Sequence, residues 1–415
     1  MARKPVWRRL GFVFASSIAL APLLMQPGPA LAASPTGTLF GLDIRRPAVV
    51  SINPGTGALS PIADLSLPAG QPAPGFSDSM ASDPANHRLF LIRVVYDFST
   101  FPPNITDQLI TVDTRTGALT VSPGLAHPVT SMAFDVSSGI LLGFTGDCCP
   151  NQIVSIDPAT GVLSHVADLA GDTFSFIAVS PTTHSVYVNS ESFAAPPPNP
   201  PVNTMLTVNT LTGAVTSSPP LNRGVNSLVF DTSLGALFGV TFFPPHFVRV
   251  NPTTGEEALL GSYDFGFFLE PGTAIDSATH TVFNVQDDFS APFLGPIAHI
   301  ASINDQTGAG ELGGSTGTNL AAIAFEPVLI TPESIKTDVR NALASGAIDN
   351  QGVANSLLVK LDAAGKARAG GNCAAAARHY NSFINELEAQ SGKHVAKPTA
   401  DQLISEAKFL IANCP

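Results

Sequence analysis

Six copies of one short phrase recur along the chain and constrain its fold more than any other feature. Each copy has an alternating apolar segment, then Asp or Asn, two variable residues, Thr-Gly and a second segment, as in VVSINPGTGALS and IVSIDPATGVLS. Asp or Asn opens a turn and Gly supplies a positive φ, so each copy predicts a β-hairpin. The turn glycines lie at positions 57, 117, 161, 213, 255 and 308, at spacings of 60, 44, 52, 42 and 53 residues.

A second family of hairpins lies between the copies of the first. Stretches such as SMAFDVSSGILLGFT and SLVFDTSLGALFGVT have the pattern strand, short turn, strand. Five such stretches occur, at 79–94, 131–145, 176–190, 227–241 and 273–286. Two hairpins, or four strands, in each period of about 50 residues are typical of a β-propeller blade. The six copies of the phrase predict six blades.

The two ends of the repeat region predict how the ring closes. TGTLFGLDI, from Thr36, matches the second strand of a blade but has no first strand before it; NLAAIAFEP, from Asn319, matches a first strand. We expect the late strand to complete the first blade, which leaves no free sheet edge. The predicted fold is mainly β: a six-bladed β-propeller over 34–328, closed by this C-terminal strand and followed by a small α-helical bundle.

Residues 1–33 have the pattern of a signal peptide. Four basic residues precede an apolar run from Leu10 to Met25, and Ala30-Leu31-Ala32 supplies the small residues of a cleavage site. This run is short for a membrane span, and no later stretch reaches the roughly 18 apolar residues that a span needs. We therefore expect an extracytoplasmic protein, secreted or periplasmic, without a membrane span.

The charge distribution argues against one class of partner and marks a domain boundary. Residues 33–330 contain 24 acidic and seven basic side chains, and the whole chain has a net charge of −12. Acidic surfaces repel phosphate backbones, so we expect no nucleic-acid partner. After Thr331-Pro332 the charges balance and Ala, Asn, Gln and Lys become common. A second domain is predicted over 331–415.

This second domain is predicted to hold four helices. Their start signals are Thr331 before Pro332, then Asp349 or Asn350, then Asn372, and last a capping box from Thr399. Short antiparallel helices of this kind make a small bundle. Cys373 begins the third helix and Cys414 ends the fourth, so the two are adjacent in an antiparallel pair and predict a disulfide.

The C-terminal sequence resembles a known family. ALASGAIDNQGVANSLLVKLDAA, GNCAAAARHYNSFINELEAQSGK and LISEAKFLIANC resemble the FIMAH domain. The resemblance implies a helical appendage at the end of an exported bacterial protein and implies no chemistry. The repeat region more loosely resembles secreted propellers with D-x-x-T-G hairpins. This second resemblance also implies no catalytic residue in the present chain.

The candidate binding site is a set of long, irregular loops. In a propeller, the loops between second and third strands share one face with the loops between blades, whereas the turns within hairpins share the opposite face. The long loops gather aromatic and acidic residues and are where function usually resides. The candidate ligand-binding residues are Tyr96, Asp97, Phe98, Phe101, Phe193, Phe242, Phe243, Asp287, Asp288 and Phe289. We expect them to engage a protein or glycan partner, the alternative being that the rings only pack the loops onto the scaffold.

Three smaller features have both a functional and a structural interpretation. Asp287 and Asp288, with Asp97, Asp147 and Glu191, could form a Ca²⁺ site or could be solvated carboxylates. Cys148 and Cys149 are adjacent, and a bridge between neighbours would be a strained loop clasp. Three histidines occupy equivalent turns: His87, His184 and His280. We interpret them first as structural features of the repeat, and only second as ligands of a bound group.

No enzyme motif is present in the sequence. The sequence has no H-E-x-x-H and no Cys/His metal spacing. Its single matches to G-x-S-x-G (313–317) and G-x-G-x-x-G (308–313) lie in the last repeat hairpin and do not precede a predicted helix, so neither is a nucleophile elbow or a phosphate-binding loop. The first hypothesis is an exported binding or interaction module that acts through its long-loop face, with no catalytic residue and no cofactor assigned. The alternative is a metal-dependent hydrolase or lyase with carboxylates at the central funnel, and a third hypothesis is a purely structural envelope protein.

Overall fold

The computed structural model describes residues 37–67, 74–99, 101, 104–146, 151–171, 173–174, 176–192, 202–241, 245–262, 268–288, 297–328, 330–412 and 414. The predicted signal peptide lies outside these residues. The described chain forms 25 strands followed by four helices. None of the described helices is both long enough and apolar enough to span a membrane.

The described strands form six antiparallel sheets around a ring, which confirms the predicted six-bladed propeller. Blade 1 contains β25 (Leu320–Pro327), β1 (Gly37–Asp43), β2 (Ala48–Ile52) and β3 (Leu59–Asp64). Blade 2 contains β4 (Gly75–Asp83), β5 (Arg88–Asp97), β6 (Asn104–Asp113) and β7 (Leu119–Gly124). Blade 3 contains β8 (Ser131–Asp135), β9 (Ile140–Thr145), β10 (Gln152–Ile156) and β11 (Leu163–Asp168). Blade 4 contains β12 (Thr173–Phe174), β13 (Ala178–Ser180), β14 (Ser185–Ser192), β15 (Val202–Asn209) and β16 (Val215–Pro220). Blade 5 contains β17 (Ser227–Asp231), β18 (Ala236–Thr241), β19 (His246–Val250) and β20 (Glu257–Ser262). Blade 6 contains β21 (Phe268–Asp276), β22 (Thr281–Asp288), β23 (Ile297–Asn304) and β24 (Gly310–Ser315).

The ring closes as the sequence predicts. β25 pairs with β1 in antiparallel register, with Phe40 opposite Ala324, so the last strand is the innermost strand of blade 1. Apolar side chains then fill the space between neighbouring sheets. Between blades 1 and 2, for example, Leu42 and Val49 pack with Leu89 and Ile110, all fully buried.

The D-x-x-T-G turns join each blade to the one before it. In blade 2, Oδ1 of Asp113 accepts hydrogen bonds from the N–H groups of Arg115 (3.0 Å) and Thr116 (2.8 Å). Gly117 follows with φ +70°, and a Cβ there would lie 2.1 Å from the carbonyl oxygen of Ile62 in blade 1. Glycine is therefore required at position 117 for two reasons: the positive φ of the backbone and the close approach of the preceding blade.

Odd and even blades differ in the length of their two central strands. The central strands of blades 2, 4 and 6 have ten, eight and eight residues, whereas those of blades 1, 3 and 5 have five to seven. The central strands of the even blades are thus one to five residues longer, which at about 3.4 Å per residue lengthens them by roughly 3–17 Å. The even blades thus carry three projecting hairpins, here called the arms, at alternate positions around the ring. The alternating spacing of the turn glycines reflects this two-blade unit.

The C-terminal region is a four-helix bundle with its own core. Its helices are α1 (Pro332–Ala344), α2 (Gln351–Ala369), α3 (Cys373–Gln390) and α4 (Lys397–Ala412). Tyr380 and Phe383 are fully buried at the centre of the hydrophobic cluster. The structure joins Cys373 at the start of α3 to Cys414 after α4 by a disulfide, with Cα atoms 5.8 Å apart.

The helix starts agree with the sequence prediction in three cases and differ in the fourth. Thr331, Asn350 and Asn372 are the N-caps of α1, α2 and α3, each accepting a hydrogen bond from a backbone N–H of the first turn. α4 begins at Lys397 rather than after a cap at Thr399, so that prediction is wrong. Pro398 has a fixed φ that suits the first helical turn and needs no N–H there, which lets the helix begin earlier.

Candidate functional site

The long-loop face carries the three arms. Each arm is a two-stranded extension of a blade that is itself held in a six-sheet ring, so its base is fixed by ladder hydrogen bonds. The register of the blade 2 arm runs unbroken to its end, where Tyr96 is opposite Ile105 and Asp97 is opposite Asn104. The arms therefore present their end residues on a stiff support.

The blade 2 arm ends in exposed apolar side chains. The rings of Tyr96 and Phe98 stack with centroids 6.0 Å apart. Phe98 is 65% exposed, Phe101 is 99% exposed and Ile105 is also exposed. These four residues are here called the arm tip. Their apolar surface is in contact with water and is not covered by any described part of the chain. The structure thus places the predicted site residues Tyr96, Phe98 and Phe101 together at the end of the blade 2 arm.

Asp97 shapes the turn of the arm tip. Its Oδ1 accepts a hydrogen bond from the N–H of Ser99 at 2.9 Å. The hydroxyl and the N–H of Ser99 lower the pKa of Asp97 from its usual value. The carboxylate is exposed and stays charged, so it orients the turn that carries Phe98 rather than forming part of a buried site.

The blade 6 arm has a polar rather than an aromatic base. Asp287 is buried and Asp288 is half-buried, with neighbouring side chains on opposite faces of β22 as strand geometry requires. Nδ2 of Asn284 donates to the carbonyl oxygen of Gly272 at 3.2 Å, and Nε2 of Gln286 donates to Oδ1 of Asn284. These buried amides tie the arm to the inner strand of its blade.

Several predicted site residues lie outside the described part of the chain. These are Phe193, Phe242, Phe243, Phe289, Asp147, Cys148 and Cys149. Among the described residues, Asp97, Glu191, Asp287 and Asp288 do not belong to any group of three or more metal-ligating side chains within reach of one ion.

The opposite, short-turn face carries three histidines at equivalent positions. His87, His184 and His280 each follow a turn between first and second strands, with φ of +53°, +49° and +55°. Each ring bonds through Nδ1 to a carboxylate of the preceding blade: His87 to Glu326 (2.7 Å), His184 to Asp135 (3.2 Å) and His280 to Asp231 (3.0 Å). The histidines are repeat features, as the sequence indicates. They occur in even blades, and their partners occur in odd blades.

One of the three positions has an additional carboxylate. Asp305 follows the first residue of a D-x-x-T-G turn, and its N–H donates to the carbonyl oxygen of His280 at 3.0 Å. Thr114 and Thr210 occupy this position in blades 2 and 4, where each N–H and each hydroxyl donates to the corresponding histidine carbonyl. In blade 6 the threonine hydroxyl is thus replaced by a carboxylate.

Asp305 is buried in an unfavourable environment for a charged group. It is 1% exposed, and within the described chain neither of its oxygens receives a hydrogen bond. Nδ1 of His280 lies 3.5 Å from its Oδ1. Burial, and then the adjacent Asp231, raise the pKa of Asp305 to about 8. Burial also raises the pKa of Asp231, but a hydrogen bond donated by the protonated Asp305 carboxyl group, together with those of Ser233, outweighs burial and leaves that pKa below its usual value.

Asp231, His280 and Asp305 therefore form a compact cluster, here called the 5–6 cluster. One ligand atom from each lies within 4.8 Å of the other two, and this is the one such group in the portion of the chain that the structure describes. Sequence reasoning did not identify it, because Asp231 and Asp305 are far apart along the chain. Aligning Asp305 with Thr114 and Thr210 would have given the signal.

Comparisons with known proteins agree with the two-part architecture. The propeller is similar to a chain in the crystal structure of a nidogen/laminin complex (TM-score 0.51, 11% identity, 70% of this chain and 98% of that chain). It is also similar to TolB from Acinetobacter baumannii (TM-score 0.51, 10% identity, 71% of this chain and 68% of that chain). At such identities the similarity shows the fold alone.

The C-terminal helices give a sequence-level match. A search of curated protein sequences found no match to the chain. The FIMAH domain model matches residues 332–412, which span α1 to α4. The predicted resemblance is confirmed: residues 332–412, which follow a six-bladed β-propeller, match the FIMAH domain model.

Proposed function

We propose that this protein is an exported binding module that engages a partner protein through its long-loop face. The observation that carries the proposal is the arm tip: Phe98 is 65% exposed and Phe101 is 99% exposed, just beyond Asp97, where the unbroken register of the hairpin ends. Exposed aromatic side chains on a rigid support lose little entropy on binding and are common hot spots of protein interfaces. Propellers also commonly serve as interaction modules.

The chemistry of the arm tip favours a protein over a sugar. Three of its four residues, Phe98, Phe101 and Ile105, have no hydrogen-bonding group in the side chain. Sites for hydroxyl-rich ligands need convergent polar groups that fix orientation, whereas apolar anchors suit a hydrophobic patch on a protein. Export is proposed from the signal-peptide pattern of residues 1–33 and from the FIMAH domain.

The experiment is a capture assay with a matched control. The wild-type chain, F98A/F101A and V162A/L211A are immobilised and exposed to extracytoplasmic proteins of the source bacterium and, separately, to a glycan array. Val162 and Leu211 are exposed apolar residues of the short-turn face, so their variant removes similar surface from the opposite side. We expect F98A/F101A to lose at least about tenfold in affinity for the captured protein, while V162A/L211A binds normally.

Two results would count against the proposal. Equal binding by all three proteins would show that the arm tip is not the anchor. Selective, arm-dependent binding on the glycan array with no protein captured would replace the protein partner by a carbohydrate.

A further inference from the structure

We propose that the 5–6 cluster binds a divalent transition-metal ion, such as Zn²⁺, between blades 5 and 6. The proposal concerns the short-turn face and does not depend on the proposed binding function of the arms. Its ligands would be Oδ2 of Asp231 from blade 5, and Nδ1 of His280 and a carboxylate oxygen of Asp305 from blade 6.

The distances suit a small ion. Nδ1 of His280 lies 3.0 Å from Asp231 and 3.5 Å from Asp305. Ligand atoms bound to tetrahedral Zn²⁺ at about 2.0–2.2 Å are about 3.3–3.6 Å from one another. The two distances from His280 are close to these values, and the ligand atoms of Asp231 and Asp305 lie within 4.8 Å of each other, so a small side-chain adjustment would bring all three to one ion.

The surroundings hold the ligands in place. Oδ1 of Asp231 accepts hydrogen bonds from the N–H and the hydroxyl of Ser233 (2.6 and 2.7 Å), which leaves Oδ2 directed at His280. The N–H of Asp305 is bonded to the carbonyl oxygen of His280, which fixes these two ligands beside each other. Such supporting contacts are typical of metal ligands.

Asp305 supplies the independent indication of a ligand. Asp305 is 1% exposed and neither of its oxygens accepts a hydrogen bond in the described chain, so its ionised form is costly there unless a cation compensates the charge. The imidazole ligand favours Zn²⁺ or another transition ion over Ca²⁺. The side chain of His280 is about one-quarter exposed, so an ion would have access to the site from solvent.

The repeat offers a loss-of-site variant that preserves the fold. Asp305→Thr restores the residue found at this position in blades 2 and 4, whose hydroxyl bonds to the histidine carbonyl. His280→Asn is the second variant, because Asn tolerates positive φ better than most residues. Far-ultraviolet circular dichroism and melting in EDTA establish that each variant is folded.

The test is calorimetric titration of ZnCl₂ into the tag-free, EDTA-treated and dialysed chain at pH 7.5, with MnCl₂ and CaCl₂ in parallel. We expect the wild type to bind about one equivalent of Zn²⁺ more tightly than Ca²⁺. Free Zn²⁺ at about a hundred times its dissociation constant should raise the melting midpoint of the wild type by about 5 °C. Both variants should lose the binding and the shift. The proposal would be overturned if the wild type bound no Zn²⁺. It would also be overturned if D305T bound Zn²⁺ as well as the wild type, because the metal would then be held by surface histidines instead.

The same geometry predicts a gain of function in blade 4. There His184 and Asp135 already form the pair, and Thr210 stands where Asp305 stands in blade 6. The folded T210D variant is expected to bind about two equivalents of Zn²⁺. A single equivalent would contradict the claim that a carboxylate at this position completes the site.

Discussion

Nδ1 of His280 in blade 6 lies 3.0 Å from Oδ2 of Asp231 in blade 5, across a blade boundary. The same relationship joins His184 to Asp135 and His87 to Glu326. In all three cases the carboxylate belongs to an odd blade and the histidine to the next even blade, and the even blade also carries the arm. The ring thus consists of three two-blade units, with one arm on one face of each unit and one histidine pair on the other.

The raised pKa of Asp305 predicts a pH dependence of stability in the metal-free protein. Its folded pKa is about 8, and an unfolded carboxyl group has a pKa of about 3.9. Between these values the folded state holds a proton that the unfolded state releases. The free energy of unfolding should therefore fall as pH rises from about 4 to about 8, by up to about 1.4 kcal/mol per pH unit from this group.

Urea unfolding in EDTA at several pH values measures this effect. D305T serves as the control because it lacks the carboxyl group and retains every other titrating side chain. The difference in unfolding free energy between D305T and the wild type should grow with pH across the window. Parallel profiles would show that Asp305 is not held protonated in the folded state.

The turn glycines predict a difference between two alanine substitutions. Gly117 and Gly139 have nearly the same φ, +70° and +71°, but a Cβ at Gly117 would meet the carbonyl oxygen of Ile62 whereas Gly139 has nothing within 4 Å. G139A should cost about 1 kcal/mol from the left-handed backbone alone. G117A should cost about 2–4 kcal/mol because the neighbouring blade must also move. Equal losses in urea unfolding would refute the role given to the glycine in blade contact.

The disulfide predicts a selective effect on the FIMAH domain. Cys373 and Cys414 are 41 residues apart, and closing such a loop stabilises a domain by about 4 kcal/mol in the chain-entropy account. C373S/C414S should lower the melting midpoint of the helices, followed at 222 nm, and leave the propeller transition in place. A shift of the propeller transition of the same size would show that the two parts unfold together.

The sequence predicts the ring well because local chemistry determines it. Each D-x-x-T-G phrase specifies its own turn, as Asp113 and Gly117 do in blade 2, and six copies give six blades. The closing strand follows from the unmatched strands at Thr36 and Asn319. These inferences need only the immediate neighbours of each residue.

The candidate sites are harder to predict because they depend on distant neighbours. Asp231 and Asp305 come together through the packing of one blade on the next, which no local pattern records. The exposure of Phe98 and Phe101 depends on the length of the blade 2 arm relative to its neighbours. Comparing even blades with one another, rather than all six together, would reveal both features.

Site-specific photocrosslinking distinguishes the long-loop face from the short-turn face as the surface that binds the partner. A photoreactive phenylalanine analogue is placed at Phe101 of the arm tip or at Leu211 of the short-turn face, both exposed, and each protein is irradiated with extracytoplasmic proteins of the source organism. We expect a discrete covalent adduct to one partner from position 101 and none from position 211. An adduct from position 211 with none from position 101 would contradict this expectation.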